Sequence, residues 1–318
     1  MATFTAQAVR SLREQGETVR VLTWGAGEAD LKLAAPPRGL GVNQFLRYRK
    51  TADRMIFHYM PGFFLGESRL EQLQARLGLI RLFRSVPSLE VMVHEQPWYP
   101  PVSQLSLPGR VLWNLDRMQW RAARELMFHN ENAIRVFRER YQLPGDNARV
   151  LPHGCHFRPN FEGSRADARR VLGLSPERLI FASVGFISER KGYELAIEAL
   201  AKVPGLDCEY YIVGSPHPAS GASDEEYLRR IQAQAAPDPR VRFVLDYVDD
   251  VAFDCWTIAA DTILIPSRAA SSSSVLARCR LLGTPAITTR QPGLLEELGP
   301  ADRAISDADE LAAALATC

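Results

Sequence analysis

The chain has 318 residues, 46% hydrophobic and 24% charged, with 38 basic against 37 acidic side chains. That length suits about two domains of roughly 100–200 residues, and the composition excludes a disordered chain. The net charge of +1 argues against a broad nucleic-acid footprint. No apolar run approaches the roughly 18 residues that cross a bilayer.

From the N-terminus, residues 2–15 place apolar groups at helical spacing and Gly16 stops them. This charged, amphipathic start is not a secretory signal. TVRVLTW (18–24) reads as a buried strand. ADRMIFHYMPG and LEVMVHEQPW each show an apolar strand followed by a polar, proline-bearing loop. ELMFHN, a helix through NENAIRVFRERY and the strand of ARVLPHG close the first half. LPHGCHFRPNFEGS is rich in turn formers and marks the boundary between domains at 1–154 and 155–318. Beyond it RLIFASVGF, CEYYIVG, VRFVLDYV, TILIPS and PAITT are five strands separated by helix-length segments. Alternation of this kind predicts parallel sheets wrapped by helices, with ligands outside the carboxyl ends of the strands. The five cysteines show no CxxC spacing and suit a reducing cytoplasm. His153, Cys155 and His156 read as part of the interdomain turn rather than a metal site.

Two segments carry chemistry. In SVGFISERKGYELAIEALAKV a strand ends at Gly185 and a helix begins near Gly192, so Arg190 and Lys191 fall at its positive end. Cations there oppose the macrodipole unless an anion binds, and a diphosphate suits both. A solvated Arg-Lys pair is the plain alternative. In LIPSRAASSSSVLARCRLLGTPAIT a small-residue loop leads into a helix over Ser274–Leu282, ended by Gly283 and Pro285. Serines Ser271–Ser274 can cap that helix, and its amides can cradle phosphate oxygens.

The order of these motifs resembles the retaining glycosyltransferases of family 4. The matching stretches are Gly185 to Gly192, YYIVG at Tyr210–Gly214, VRFVLDYV, AADTILIPS at Ala259–Ser267 and GTPAI at Gly283–Ile287, with RVLPHG ending the first half. The match covers 150–310 well and 1–150 loosely. It implies a GT-B fold, α/β, with two Rossmann-like domains facing a central cleft and an N-terminal domain lacking its first strand. Both termini look short beside such relatives.

The resemblance further implies a retaining, metal-independent glycosyltransferase without a bound cofactor. A nucleotide-sugar donor would sit in the second domain, and an acceptor (glycan, lipid or small molecule) would sit in the first. Arg190 and Lys191 then neutralise the leaving diphosphate. Gly185, Phe186, Gly214, Tyr247, Ser271, Ser272, Ser273 and Ser274 hold the donor, with Phe186 where the family often has arginine. Ala270 and Arg278 fall where the family usually has two glutamates, so Arg278 brings a positive charge to a position that ordinarily accepts hydrogen bonds. The rival reading is a catalytically impaired GT-B homologue that binds a sugar nucleotide or a partner protein. A nicotinamide-dependent oxidoreductase fits poorly, because no GxGxxG opens a strand-helix unit.

On the acceptor side His94 ends an apolar strand, where a histidine can orient a hydroxyl or accept a proton. Glu95 lies beside it, His58 has a similar strand-end position, and Trp98 or Tyr99 can stack on a sugar. The run Phe45–Lys50 reads as a solvated edge rather than a contact for an acidic acceptor or a peripheral membrane surface.

Overall fold

The computed structural model describes residues 2–24, 29–86, 88–144, 146–217 and 222–318, and for 2–4 the backbone alone. The chain forms two compact units, one of Val9–Pro152 and one of His153–Cys318 together with Met1–Ala8. Helix α1 (Ala2–Glu14) contributes residues to both.

In the first unit β1 (Leu22–Thr23) pairs in parallel with β2 (Leu31–Lys32). The expected buried strand 18–24 is thus reduced to two half-exposed residues. Its partner among the described residues is equally short, and Leu22 and Trp24 pack half-buried against the core of the unit.

The main sheet takes β3 (Met55–Tyr59), β4 (Leu89–Val93), β5 (Glu125–Phe128) and β6 (Ala148–Val150), all parallel and in that order. Between β3 and β4 lie α2 (Pro61–Phe64) and α3 (Arg69–Ser85). Helix α4 (Leu107–Ala122) joins β4 to β5, and α5 (Glu131–Tyr141) joins β5 to β6. Each long helix starts where its sequence offers a cap. Ser68 and Glu71 form a capping box on α3, Ser106 accepts from Gly109 N–H on α4, and Asn130 accepts from Ala133 N–H on α5.

The core is aromatic. Trp120 lies 4.9 Å from Tyr59 edge-on and 5.9 Å from Phe137, and Phe45 lies 5.3 Å from Phe57. Beneath α4 a buried network joins Arg76 Nε to Asp116 Oδ1 at 2.7 Å, and Tyr99 OH donates to Asp116 Oδ2 at 2.5 Å.

The second unit begins with α6 (Arg165–Leu172), β7 (Leu179–Val184), α7 (Tyr193–Ala201) and β8 (Cys208–Val213). It continues through α8 (Ala222–Ala235), β9 (Val241–Val244), α9 (Asp250–Ala259) and β10 (Thr262–Ile265). Helix α10 (Ser274–Leu282), β11 (Ala286–Thr289), α11 (Pro292–Leu295), β12 (Arg303–Ile305) and α12 (Ala308–Leu315) complete it. Six parallel strands run in the order β12-β11-β10-β7-β8-β9, the dinucleotide-fold arrangement with its switch point between β7 and β10. Strands β7, β8, β10 and β11 are buried on both faces, which is why they read as mostly apolar runs. Phe181 and Tyr210 point into one core, while Ile180, Ala182 and Tyr211 point into the other.

Candidate functional site

The carboxyl ends of β7, β8 and β9 are adjacent in the sheet and bring Gly185, Phe186, Gly214 and Tyr247 to one edge. A Cβ on Gly214 would lie 2.1 Å from the Gly185 carbonyl oxygen, so the two strand ends meet backbone to backbone. Phe186 packs edge-on against His217 at 4.6 Å. Tyr247 is exposed beyond β9.

Arg190 and Lys191 lie one step earlier than the sequence suggests. Glu189–Lys191 is a single 3-10 turn, and α7 begins only after Gly192, whose φ of +65° suits the left-handed bend. The first amide of α7 is engaged within the protein. The Tyr193 N–H donates to Tyr227 OH at 2.8 Å, and Glu194 occupies the first turn. The Tyr193 amide is therefore not free for an anion shared with the two cations.

Neighbouring acids do not neutralise the pair. Glu189 lies 2.8 Å from Arg230 and 3.4 Å from Arg268, and Glu194 accepts from Arg268 Nε at 2.7 Å. Among the described residues neither Arg190 nor Lys191 makes an ion pair. Burial pushes the Lys191 ammonium down to about 8, and the charge of Arg190 acts in the same direction.

The serine loop divides by role. Ser273 is buried and caps α10, accepting from Leu276 N–H at 3.1 Å. Its own N–H donates to Glu297 Oε2 at 3.1 Å, so the amide is taken, while the hydroxyl that accepts from Leu276 keeps its proton to donate. Ser272 Oγ lies 3.3 Å from His153 Nδ1. Ser271 and Ser274 are exposed.

The positive charge expected at the donor from Arg278 is instead buried within the fold, against Asp254 of α9 at 3.0 Å and over the Phe157 ring at 4.8 Å. Ala270 packs against the adjoining core.

A recess of about 570 Å³ opens at the ends of β10, β11 and β12, lined by Glu194, Ser267, Arg268, Arg290 and Ser306 among others. Of these, Ser267 ends the AADTILIPS stretch, and the other four were not named from sequence. Arg268, directly after the PS segment, is the one whose charge offered a signal.

In the first unit three histidines end three adjacent strands. His58 Nδ1 lies 2.9 Å from His94 Nε2, and His94 Nδ1 lies 3.2 Å from His129 Nε2. Each contact needs one N–H and one lone pair, so with all three rings neutral the N–H groups point the same way along the chain. Burial lowers both His58 and His129 to about 4 and keeps them neutral at pH 7. His129 escaped the sequence reading, although it ends an apolar strand as the other two do. Glu95 is exposed, and Trp98 is 76% exposed with its ring available for stacking. Tyr99 is not: its hydroxyl is committed to Asp116 and Arg76. Nor is Phe45, the aromatic of the Phe45–Lys50 run, which belongs to the core. Among the described residues no group of three His, Cys, Asp or Glu side chains converges as metal ligands do.

Two units of parallel α/β sheet give the chain the fold of GT-B glycosyltransferases. HepE of Anabaena, solved with UDP and glucose, superimposes with a TM-score of 0.63 at 18% identity, covering 98% of this chain and 78% of that one. A glycosyltransferase from Rickettsia africae gives 0.66 at 13% identity, covering 99% and 83%. Residues 178–318 match the family model described as Glycosyl transferases group 1. In sequence the chain is 29% identical over 198 residues to a D-inositol 3-phosphate glycosyltransferase of Nocardia farcinica, covering 61% of this chain and 42% of that protein. The chain spans less than half the length of the curated relatives it matches.

Proposed function

We propose that the protein transfers a sugar from a nucleotide-activated donor to an acceptor, with retention and without a metal. Arg190 and Lys191 carry the reading: two cations beside the sheet's switch point that no carboxylate neutralises among the described residues, although acids crowd the same loop. Departure of a nucleoside diphosphate develops negative charge, and fixed cations stabilise it as it forms. The donor lies along the carboxyl ends of β7, β8 and β9, with Gly185, Gly214, Phe186 and Tyr247 against it and Ser271 and Ser274 alongside. The acceptor belongs to the first unit, where His94 is the middle ring of the histidine chain and Trp98 offers an open ring. The match of residues 178–318 to a glycosyltransferase model supports the same assignment.

Calorimetry with UDP, GDP, ADP and dTDP tests the site, followed by turnover of the matching sugar nucleotides. Arg190→Ala with Lys191→Ala should weaken diphosphate binding by roughly 2–4 kcal/mol and nucleoside binding far less. Undiminished diphosphate binding by that variant places the anion elsewhere. A second reading, a binding protein without turnover, is favoured by Arg278. Its guanidinium stands where the resemblance to family 4 implies a carboxylate, and its charge is committed to Asp254. Tight diphosphate binding with no transfer from any donor is its signature.

A further inference from the structure

The near-neutral chain conceals two oppositely charged halves. Val9–Pro152 holds 21 Lys and Arg against 14 Asp and Glu, a net charge of +7, whereas the remainder holds 17 against 23, a net charge of −6. Much of the excess sits on two helices. Strands β3, β4 and β5 are neighbours in sequence order, so successive crossovers of one hand set α3 and α4 on the same side of the sheet. The two helices pack together and are pinned by the buried Arg76–Asp116 pair.

Their outward faces share one composition. On α4, Leu107, Val111 and Met118 form a stripe at helical spacing and are 79%, 53% and 41% exposed. Arg110 and Arg121 are exposed beside it, with Arg117 between them stacked on Trp113 at 4.6 Å and donating to the Gln142 carbonyl. On α3, Leu70 and Leu77 are exposed beside Arg81 and Arg84. The acids on these two helices are Glu71 and Asp116, one held in the α3 capping box and the other buried against Arg76. Arg81, Arg84, Arg110 and Arg121 make no ion pair among the described residues, whereas most arginines of the second unit do.

We propose that the α3–α4 face docks the protein on an anionic lipid surface, with Leu107, Val111, Met118, Leu70 and Leu77 entering the headgroup boundary and the arginines meeting lipid phosphates. A helix lying in a membrane interface needs this pairing of apolar stripe and unneutralised cations. A nucleic-acid surface would use the cations but give the leucines nothing to cover them. A second copy of the chain would set like charges against each other. The proposal does not depend on the assigned transfer reaction.

Sedimentation of the full chain with lipid vesicles tests it. At about 0.1 M salt the protein should pellet with phosphatidylcholine vesicles containing roughly a third phosphatidylglycerol and remain in solution with phosphatidylcholine alone. Arg110→Glu with Arg121→Glu should lower partitioning about 100-fold. Leu107→Ser, Val111→Ser and Met118→Ser together should also abolish pelleting, with circular dichroism unchanged because every altered side chain is exposed. The proposal is overturned if the wild type ignores anionic vesicles, if it binds neutral vesicles equally, or if both variants bind as the wild type does. It is equally overturned if light scattering shows a dimer that the serine variant dissolves and no vesicle binding accompanies it.

Discussion

Arg278 of α10 places Nη1 3.0 Å from Oδ1 of Asp254 on α9, with 3% and 0% of the two side chains exposed. Asp254 Oδ2 also accepts from the backbone N–H of Asn160 at 2.6 Å, so the pair ties the segment opening this unit to two of its helices. Burial raises the Asp254 carboxyl despite the Asn160 bonds and the guanidinium. Removing one member of such a pair leaves an uncompensated buried charge. Arg278→Ala should therefore cost about 3–5 kcal/mol by urea denaturation. Arg278→Glu, which would put a carboxylate where the resemblance to family 4 implies one, should be worse, because it sets two acids together. Arg278→Leu with Asp254→Leu should recover much of the loss, leaving the Asn160 amide without its acceptor. A freely stable Arg278→Glu variant would falsify this placement of the side chain.

Lys191 gives the proposed donor site a pH signature. With the ammonium lowered to about 8 in the free protein, a bound diphosphate favours the charged form and raises it again. Affinity should then be full below pH 8 and fall as pH rises above it, by up to about tenfold per unit. Near pH 8.5, binding should take up a proton, visible as a dependence of calorimetric heat on the buffer's ionisation enthalpy. Lys191→Arg should keep the affinity and lose the pH dependence. Equal affinity at pH 7 and pH 9.5 in the wild type would remove Lys191 from contact with the ligand.

Most of the second unit was legible because its central strands are buried on both faces, so RLIFASVGF and CEYYIVG are mostly apolar, broken within the strands only by Ser183 and Glu209. The sixth strand, β12, was not, since Arg303–Ile305 offers three residues and only Ile305 is buried. Helix α10 was readable at both ends from Ser273 and Gly283, local signals with local partners. What stayed hidden involved partners far along the chain. The Tyr227 hydroxyl that engages the first amide of α7 comes from 34 residues away, and the Asp254 that takes up Arg278 from 24. The histidine chain needed strand order and register, which place β3, β4 and β5 side by side. His94 and His58 could be suspected singly, but their contact could not.

The approach of β7 to β8 predicts a sharp intolerance at Gly214. Its φ of +142° lies outside the range that L side chains adopt, and a Cβ would stand 2.1 Å from the Gly185 carbonyl oxygen. Gly214→Ala should cost about 2–5 kcal/mol in chemical denaturation, from backbone strain plus displacement of the strand end. Gly205→Ala, where a Cβ meets nothing within 4 Å, should stay within about 0.5 kcal/mol. Equal effects at the two sites would contradict the described backbone contact.

The histidine chain makes the first unit sensitive to mild acid. His58 and His129 are both lowered by burial to about 4, and charge on His58 lowers His129 further. In the unfolded chain a histidine titrates near 6.5. Between pH 6.5 and 4 the unfolded state therefore binds more protons than the folded state. Stability is full above pH 6.5 and is lost progressively as pH falls from there towards 4. Each ring can contribute up to about 3 kcal/mol, and the two together give less than the sum because they are linked through His94. Urea midpoints at pH 7.5, 6 and 5 should fall steadily in the wild type. His129→Gln should lower stability at pH 7.5, where a shaped hydrogen-bonding position is disturbed, yet flatten the slope below pH 6.5 because one buried titrating group is gone. His156→Gln, in the other unit, should leave most of that slope in place. A wild-type midpoint that does not move between pH 7.5 and 5 would mean that His58 and His129 take up protons without unfolding, and the chain of neutral rings would have to be abandoned.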